Sequence, residues 1–264
     1  MTALFFGDSE SALLGMWTQP PDGVGRDHGV VLCPPIGQEH VRSHWALRQL
    51  AAALGRSGFH CFRFDWFGVG DSAGALRDAS IDRWKADLAS AAQELRDTTG
   101  VERVSLVGLR VGASVIALAA SEMRPSAIVL WDPIVDGRDY VAALRRMTHR
   151  LLADPLRYWN VDHRRRPRAG ELVGFEFGDR LVGEIERLDL RAGGALPHVP
   201  LCLLRSSDDA ELGGFAERLR ASRRDVEVRD SELRAQWTNP DAIEQLLLPG
   251  DALRSVTGFL EARA

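Results

Sequence analysis

At 264 residues and 29.1 kDa the chain is too long for a miniature scaffold and short for two full domains, so one α/β domain with an insertion is expected. Hydrophobic residues at 45% and charged residues at 27% exclude a disordered or low-complexity chain. Lys+Arg of 33 against Asp+Glu of 37 gives a net charge of -4 with a pI near 6.0, which excludes a whole-protein field suited to nucleic acid. The basic residues are almost all arginine, with Lys85 as the sole lysine. Cys33, Cys61 and Cys202 lie far apart in apolar runs, a pattern of buried thiols rather than of a disulfide framework or a metal site. The first twenty residues lack a basic leader followed by a long apolar run, and no apolar stretch approaches the ~20 residues of a bilayer span, so a cytoplasmic protein without a membrane span is expected.

In chain order, FFGDSESALLGMW reads as a hairpin turning over Gly7 to Ser11. GVVLC, Gly29 to Cys33, is a buried strand stopped by Pro34 and Pro35. A helix is expected from about Ser43 to Arg56, a strand from Phe59 to Asp65, and a helix from about Ser80 to Arg96 with Ser80 and Asp82 at capping positions. The strand VSLV from Val104 runs into Gly108 and a tight turn, after which Gly112, Ala113 and Ser114 open an apolar helix. Further strands are expected at Ala127 to Pro133, at Pro200 to Ser206 and near Val226 to Val228, and a last helix from about Asp251 to Glu261. Strands alternating with helices predict a mostly parallel sheet with helices on both faces.

Between Tyr140 and Pro197 no sheet strand is apparent over a length far beyond an ordinary connection of ~2 to 6 residues, and the segment reads as an inserted helical lid on a single domain spanning 1–264. Its first half is basic: Arg145, Arg146, Arg150, Arg157, Arg164, Arg165, Arg166 and Arg168 face only Asp154 and Asp162 before Glu171, a local excess of +6 (8 minus 2). Such a run is a solvated face first, and an acidic carrier protein is the partner it would attract.

Three pieces of sequence carry a resemblance: CPPIGQEH, DWFGVGDSAG and VGLRVGAS. Together with the order of elements they resemble the α/β-hydrolase superfamily, whose oxyanion loop, D-x-x-G-x-G-x-S loop and nucleophile elbow they match in turn. Within it, the proline-rich loop, WDPIVDG and ELVGFEFG look most like serine-aminopeptidase-like hydrolases found beside exosortase genes, some of which carry G-L-R-x-G. The resemblance implies an α/β-hydrolase fold with a lid, and ancestry among ester or thioester hydrolases and acyltransferases.

The elbow glycines are Gly108 and Gly112, and the residue between them, where a hydrolase places serine, is Arg110. A guanidinium has no lone pair with which to attack a carbonyl. A literal G-x-S-x-G at Gly70 to Gly74 lacks the strand-turn-helix setting of an elbow and reads as a tight loop held by Asp71 and Ser72. Asp209 matches the family acid, with Asp208 beside it and Asp136 as a second candidate; each also suits a helix cap. The last histidine, His198, precedes the acid strand, and Asn239-Pro240-Asp241 stands where a Pro-His pair is common. Two of three catalytic positions are thus unfilled, and standard serine hydrolysis is not expected.

What the resemblance leaves is an anion receptor. The amide of Val111 at a helix N-terminus, the loop amides of Ile36 and Gly37, and the Arg110 guanidinium converge on one point. Arg110 either grips a carboxylate or phosphate there, or folds back on Asp209, Asp136 or Asp71 as a plug. Gln38, Glu39, His40 and His44 supply the remaining polar chemistry on the first loop, with His40 as a candidate general base and no convincing zinc spacing. Trp66, Trp131, Trp159 and Tyr140 are candidate walls of an acyl pocket. The expected ligand is an acyl or anionic small molecule, with no metal or cofactor, handled by a hydrolase-derived enzyme or by a non-catalytic binding relative.

Overall fold

The computed structural model describes residues 1–154, 167–191, 196–222, 225–243, 245, 247 and 250–264. Strands β1 (Thr2–Phe6) and β2 (Leu13–Thr18) form the expected hairpin, followed by β3 (His28–Cys33), helix α1 (Gly37–Arg56) and β4 (His60–Phe64). Next come α2 (Ile81–Thr99), β5 (Arg103–Leu109), α3 (Val111–Met123), β6 (Ile128–Trp131) and α4 (Gly137–Ala153). The small hairpin β7 (Glu171–Leu172) and β8 (Phe175–Glu176) precedes α5 (Asp179–Glu186), β9 (Leu201–Arg205), α6 (Ala210–Ser222), β10 (Val226–Asp230) and α7 (Gly250–Glu261).

Eight strands make one sheet in the order β1-β2-β4-β3-β5-β6-β9-β10, antiparallel across β1, β2 and β4 and parallel from β4 onward. This is the α/β-hydrolase fold. Alternation along each strand sends side chains to two apolar layers. Val31 and Cys33 pack with Trp84 and Leu88 of α2 and Ile116 of α3, whereas Val30 and Leu32 pack with Leu47 and Leu50 of α1 and Phe259 of α7. All three cysteines are free and buried. No helix among the described residues is long and apolar enough to cross a membrane.

Two local differences from the sequence reading bear on function. Helix α1 starts at Gly37 rather than near Ser43, because Ile36 is extended and Gly37, at φ 55, turns the chain directly into the helix. Glu39 and His40 therefore lie on a rigid first turn rather than on a loop. Between β6 and β9 the described residues hold α4, β7, β8 and α5, none of them joined to the main sheet. Part of the stretch read as a lid, including Arg157, Trp159, Asp162, Arg164, Arg165 and Arg166, lies outside the described residues.

His28 opens β3 with its ring fully buried, edge-on to Phe59 at 5.2 Å and with Nε2 2.8 Å from Ser105 Oγ. Burial, then the charges of Arg103 and Arg26, lowers its pKa from 6.5 to about 4, against the opposing charge of Asp27. The unfolded chain then binds this proton first, so stability falls as pH drops from 6.5 to about 4, by roughly 3 kcal/mol at most. Urea unfolding across this range is expected to show the decline, and His28→Gln is expected to flatten it; an unchanged slope in the variant would place the titrating group elsewhere.

Candidate functional site

The parallel register brings Gly108 of β5 opposite Cys33 of β3 and Leu130 of β6, so the carboxyl ends of three strands meet beside the turn into α3. Arg110 sits at that turn with φ 55 and ψ -123, a conformation that costs an L-residue of order 1–3 kcal/mol. The flanking glycines are required by space: a Cβ on Gly108 would lie 2.5 Å from Ala113 Cα, and one on Gly112 would lie 2.4 Å from the Cys33 carbonyl oxygen. The sharp strand-turn-helix geometry is therefore intact, with an arginine at its apex.

The Arg110 side chain is 3% exposed and folds back into the protein. Its Nε donates to Glu39 Oε1 at 3.0 Å and its Nη1 to the Asp132 carbonyl at 3.2 Å. Its guanidinium carbon lies 5.5 Å from the ring centre of Tyr140 and 5.3 Å from that of Trp237. Glu39, 2% exposed, receives a second hydrogen bond from the Tyr140 hydroxyl at 3.3 Å. Burial opposes the Arg110 charge, but Glu39, Tyr140 and Asp132 outweigh it and hold the guanidinium above its ordinary pKa. Burial raises the Glu39 carboxyl, with Arg110, Tyr140 and Arg42 acting against the rise. Arg42 is also buried; it donates to the carbonyls of Gln245 and Gln236 and stacks 5.5 Å from Trp237.

Asp132, directly after β6 at φ 43, completes the cluster. Its carboxylate accepts from Ser206 N (2.7 Å), Ser206 Oγ (2.6 Å), Ser207 N (3.2 Å) and Trp237 Nε1 (2.8 Å). Trp237, on the segment after β10, thus bridges between the elbow residue and a buried carboxylate. Its N–H reaches the acid, but an indole offers no acceptor nitrogen. Glu39 and Asp132 balance Arg110 and Arg42, so the four buried charges sum to zero.

The other residues named from sequence fall in several places. Ile36 and Tyr140 line a space beside Glu39 that is also walled by Leu144, Met147, Phe177 and Trp237, and it holds only ≈ 10 Å³. That is room for about one water. Gly37 lies against Phe177, whose ring would be 3.2 Å from an added Cβ, and Val111 is the fully buried first residue of α3. Trp66 and Trp131 do not line a pocket: both are fully buried, with Nε1 bound to the Pro34 carbonyl and to Ser206 Oγ, so they brace loops. Asp209 is exposed and caps α6, its Oδ1 accepting from Glu211 N at 2.9 Å. Asp136 caps α4 and pairs with Arg191 at 2.9 Å. Ser72 ties its loop to Leu14 N and the Asp65 carbonyl. His40 does not join Arg110. It lies near Asp65, Nε2 to Oδ1 3.7 Å, in a separate cavity. The partner of Arg110 is Glu39, not Asp209, Asp136 or Asp71. Outside the closed cluster an open cleft of ≈ 680 Å³ runs past Arg110, Trp237, Asn239 and Arg146, with Asp139, Asp208, Asp209 and Glu211 around it. No group of three or more metal-ligating side chains occurs among the described residues.

Residues 30–172 match the model of the hydrolase family described as serine aminopeptidase, S33. Among solved structures, an esterase from Pyrococcus furiosus is similar over 99% of this chain and 90% of its own, at 18% identity and a TM-score of 0.67. A Butyrivibrio proteoclasticus protein solved with ferulic acid bound matches over 99% of both chains, at 14% identity and a TM-score of 0.68. A Xanthomonas campestris α/β serine hydrolase described as lacking a lid covers 99% of this chain and 92% of its own, at 16% identity and a TM-score of 0.60. No curated protein matches.

Breaking one side of the buried pair leaves the other charge uncompensated. Glu39→Gln and Arg110→Met are each expected to destabilise the fold by about 3–5 kcal/mol, and the double variant by clearly less than their sum. A double-mutant cycle in urea measures this; additive effects would mean that the two side chains do not interact.

Proposed function

Because the chain belongs to the serine aminopeptidase S33 family yet carries Arg110 at its elbow, we propose that it is a non-hydrolytic member that works by binding rather than by acyl transfer. The observation that carries this reading is the Arg110–Glu39 pair, which occupies the point where a substrate carbonyl would be attacked. Serine hydrolysis needs a nucleophile and a base that takes its proton. Here the apex residue is a permanently protonated guanidinium, and the group between apex and acid is the Trp237 indole. Asp132 is the acid of this arrangement in position only, its lone pairs already engaged by four donors.

A role for Arg110 as an anion receptor or oxyanion stabiliser would need its donors free. Nε is held by Glu39 and one Nη1 hydrogen by the Asp132 carbonyl, and the side chain is only 3% exposed where it borders the open cleft. The larger cleft is the better binding surface. Asp139, Asp208, Asp209 and Glu211 there outnumber Arg146 once Arg110 is neutralised by Glu39. Its charge favours a neutral or cationic ligand over the anionic one expected from sequence. Of the basic stretch, Arg145 pairs with Glu186 at 2.8 Å, and four arginines lie outside the described residues.

The expected outcome is no turnover above buffer on aryl-ester and acyl-thioester panels and no labelling by a serine-directed fluorophosphonate, for the wild type and for Arg110→Ser. Saturable hydrolysis by either would overturn the reading. Adding Trp237→His to Arg110→Ser is expected to create weak esterase activity, since Asp132 already stands where it can hold an imidazole; a pair no better than Arg110→Ser would place the missing element elsewhere.

A further inference from the structure

A second cavity, of ≈ 310 Å³, opens between the first turns of α1 and the β2–β4 part of the sheet. Its walls are mixed: Leu14, Met16, Leu32, Leu47 and Phe64 are apolar, while His40, His44, Arg48, Arg63, Asp65 and Asp71 are polar or charged. Its volume is at the small end of the range for small-molecule sites.

The unusual member is Arg63. It is 8% exposed, and among the described residues no carboxylate oxygen lies within 4.0 Å of its guanidinium. Nη2 donates only to the Met1 thioether sulfur at 3.7 Å, and Nε is buried with no hydrogen-bond partner. Asp65, two residues along the chain, is already engaged: its Oδ2 accepts from Asp71 N at 3.2 Å and its Oδ1 faces His40. The other buried arginines among the described residues each have oxygen acceptors, Arg110 on Glu39 and the Asp132 carbonyl and Arg42 on two carbonyls. A buried guanidinium left short of acceptors is costly unless something supplies them.

We propose that this cavity binds a small organic monocarboxylate, its carboxylate on Arg63 and its apolar body against Met16, Leu47 and Phe64. Arg48, at the cavity mouth, adds a second positive charge. The charge balance selects the class of anion. Arg48 and Arg63 are offset by Asp65 and Asp71, so the cavity is neutral apart from its histidines. A monoanion gives the Arg63 guanidinium the acceptors it lacks and leaves the cavity one negative charge out of balance, whereas a phosphate dianion brings two negative charges toward Asp65 and Asp71. The apolar walls have no counterpart on inorganic phosphate and a good one on a short acyl or aryl chain. The site is separate from the Arg110 cluster and does not depend on how that cluster is read. Glu39 and His40 are neighbours on α1 that line different cavities.

Hexanoate, inorganic phosphate and hexylamine titrated calorimetrically against the full chain test the assignment. Saturable 1:1 binding of hexanoate is expected, with phosphate weaker and hexylamine not bound. Arg63→Met is expected to weaken hexanoate by about tenfold or more, the loss of a charge-assisted hydrogen bond. Arg146→Ala, in the elbow-side cleft, is expected to leave it unchanged. Undetectable hexanoate binding, equal binding by Arg63→Met, loss in Arg146→Ala, or tighter phosphate than hexanoate would each overturn the proposal. A readout that needs no folded variant is the Arg63 Nε–Hε resonance of the wild type, which is expected to shift and exchange more slowly under saturating hexanoate; an unmoved resonance also overturns it.

Discussion

The Arg110–Glu39 ion pair is the interaction on which the site depends. Two opposite charges in a water-excluded pocket attract strongly, but each has given up its hydration, so such a pair is retained only when its remaining lone pairs and protons are occupied. Tyr140 gives Glu39 a second donor, and the Asp132 carbonyl gives Arg110 a second acceptor. Trp237 then links the pair to the Asp132 carboxylate through its ring and its N–H. The cluster joins α1, the β5–α3 turn, the end of β6, α4 and the segment after β10, and so ties together five parts of the chain.

The same cluster explains how an elbow persists without a serine. The glycines at 108 and 112 are fixed by backbone approach to Ala113 and Cys33, a demand of the turn rather than of the chemistry performed at its apex. Arg110 carries the strained backbone of a nucleophile, and that strain is held by the two glycines and by the buried contacts of its side chain. Phe177, Met147 and Tyr140 come from the chain between β6 and β9 and leave the space beside Ile36 and Glu39 room for about one water.

Much of this was legible in the amino-acid sequence. The sheet, the elbow and the substitution at 110 follow from alternation of short apolar runs with helical ones and from a glycine pattern whose spacing is set by sterics. The pairing partner was not legible, since Pro34, Pro35 and Gly37 read locally as a loop, whereas the helix begins at Gly37 and fixes Glu39 toward Arg110. Asp132 and Trp237 were missed altogether. The acid candidates are Asp209 after β9 and Asp136 after β6, but the fully bonded carboxylate is Asp132, immediately at the end of β6, the strand next to the elbow strand. Trp237 matches no catalytic motif; the available signal was an N–H-bearing aromatic on the segment where a histidine would be sought. Trp66 and Trp131 have the composition of pocket walls but donate inward, a distinction that depends on side-chain direction.

In the buried pair the Arg110 Nε–H is held by Glu39 and shielded from solvent. Hydrogen exchange at the Arg110 Nε–H, followed by NMR near neutral pH, measures this directly. Protection comparable to that of core backbone amides is expected, and its loss in Glu39→Gln. Exchange at the rate of an exposed guanidinium in the wild type would contradict it.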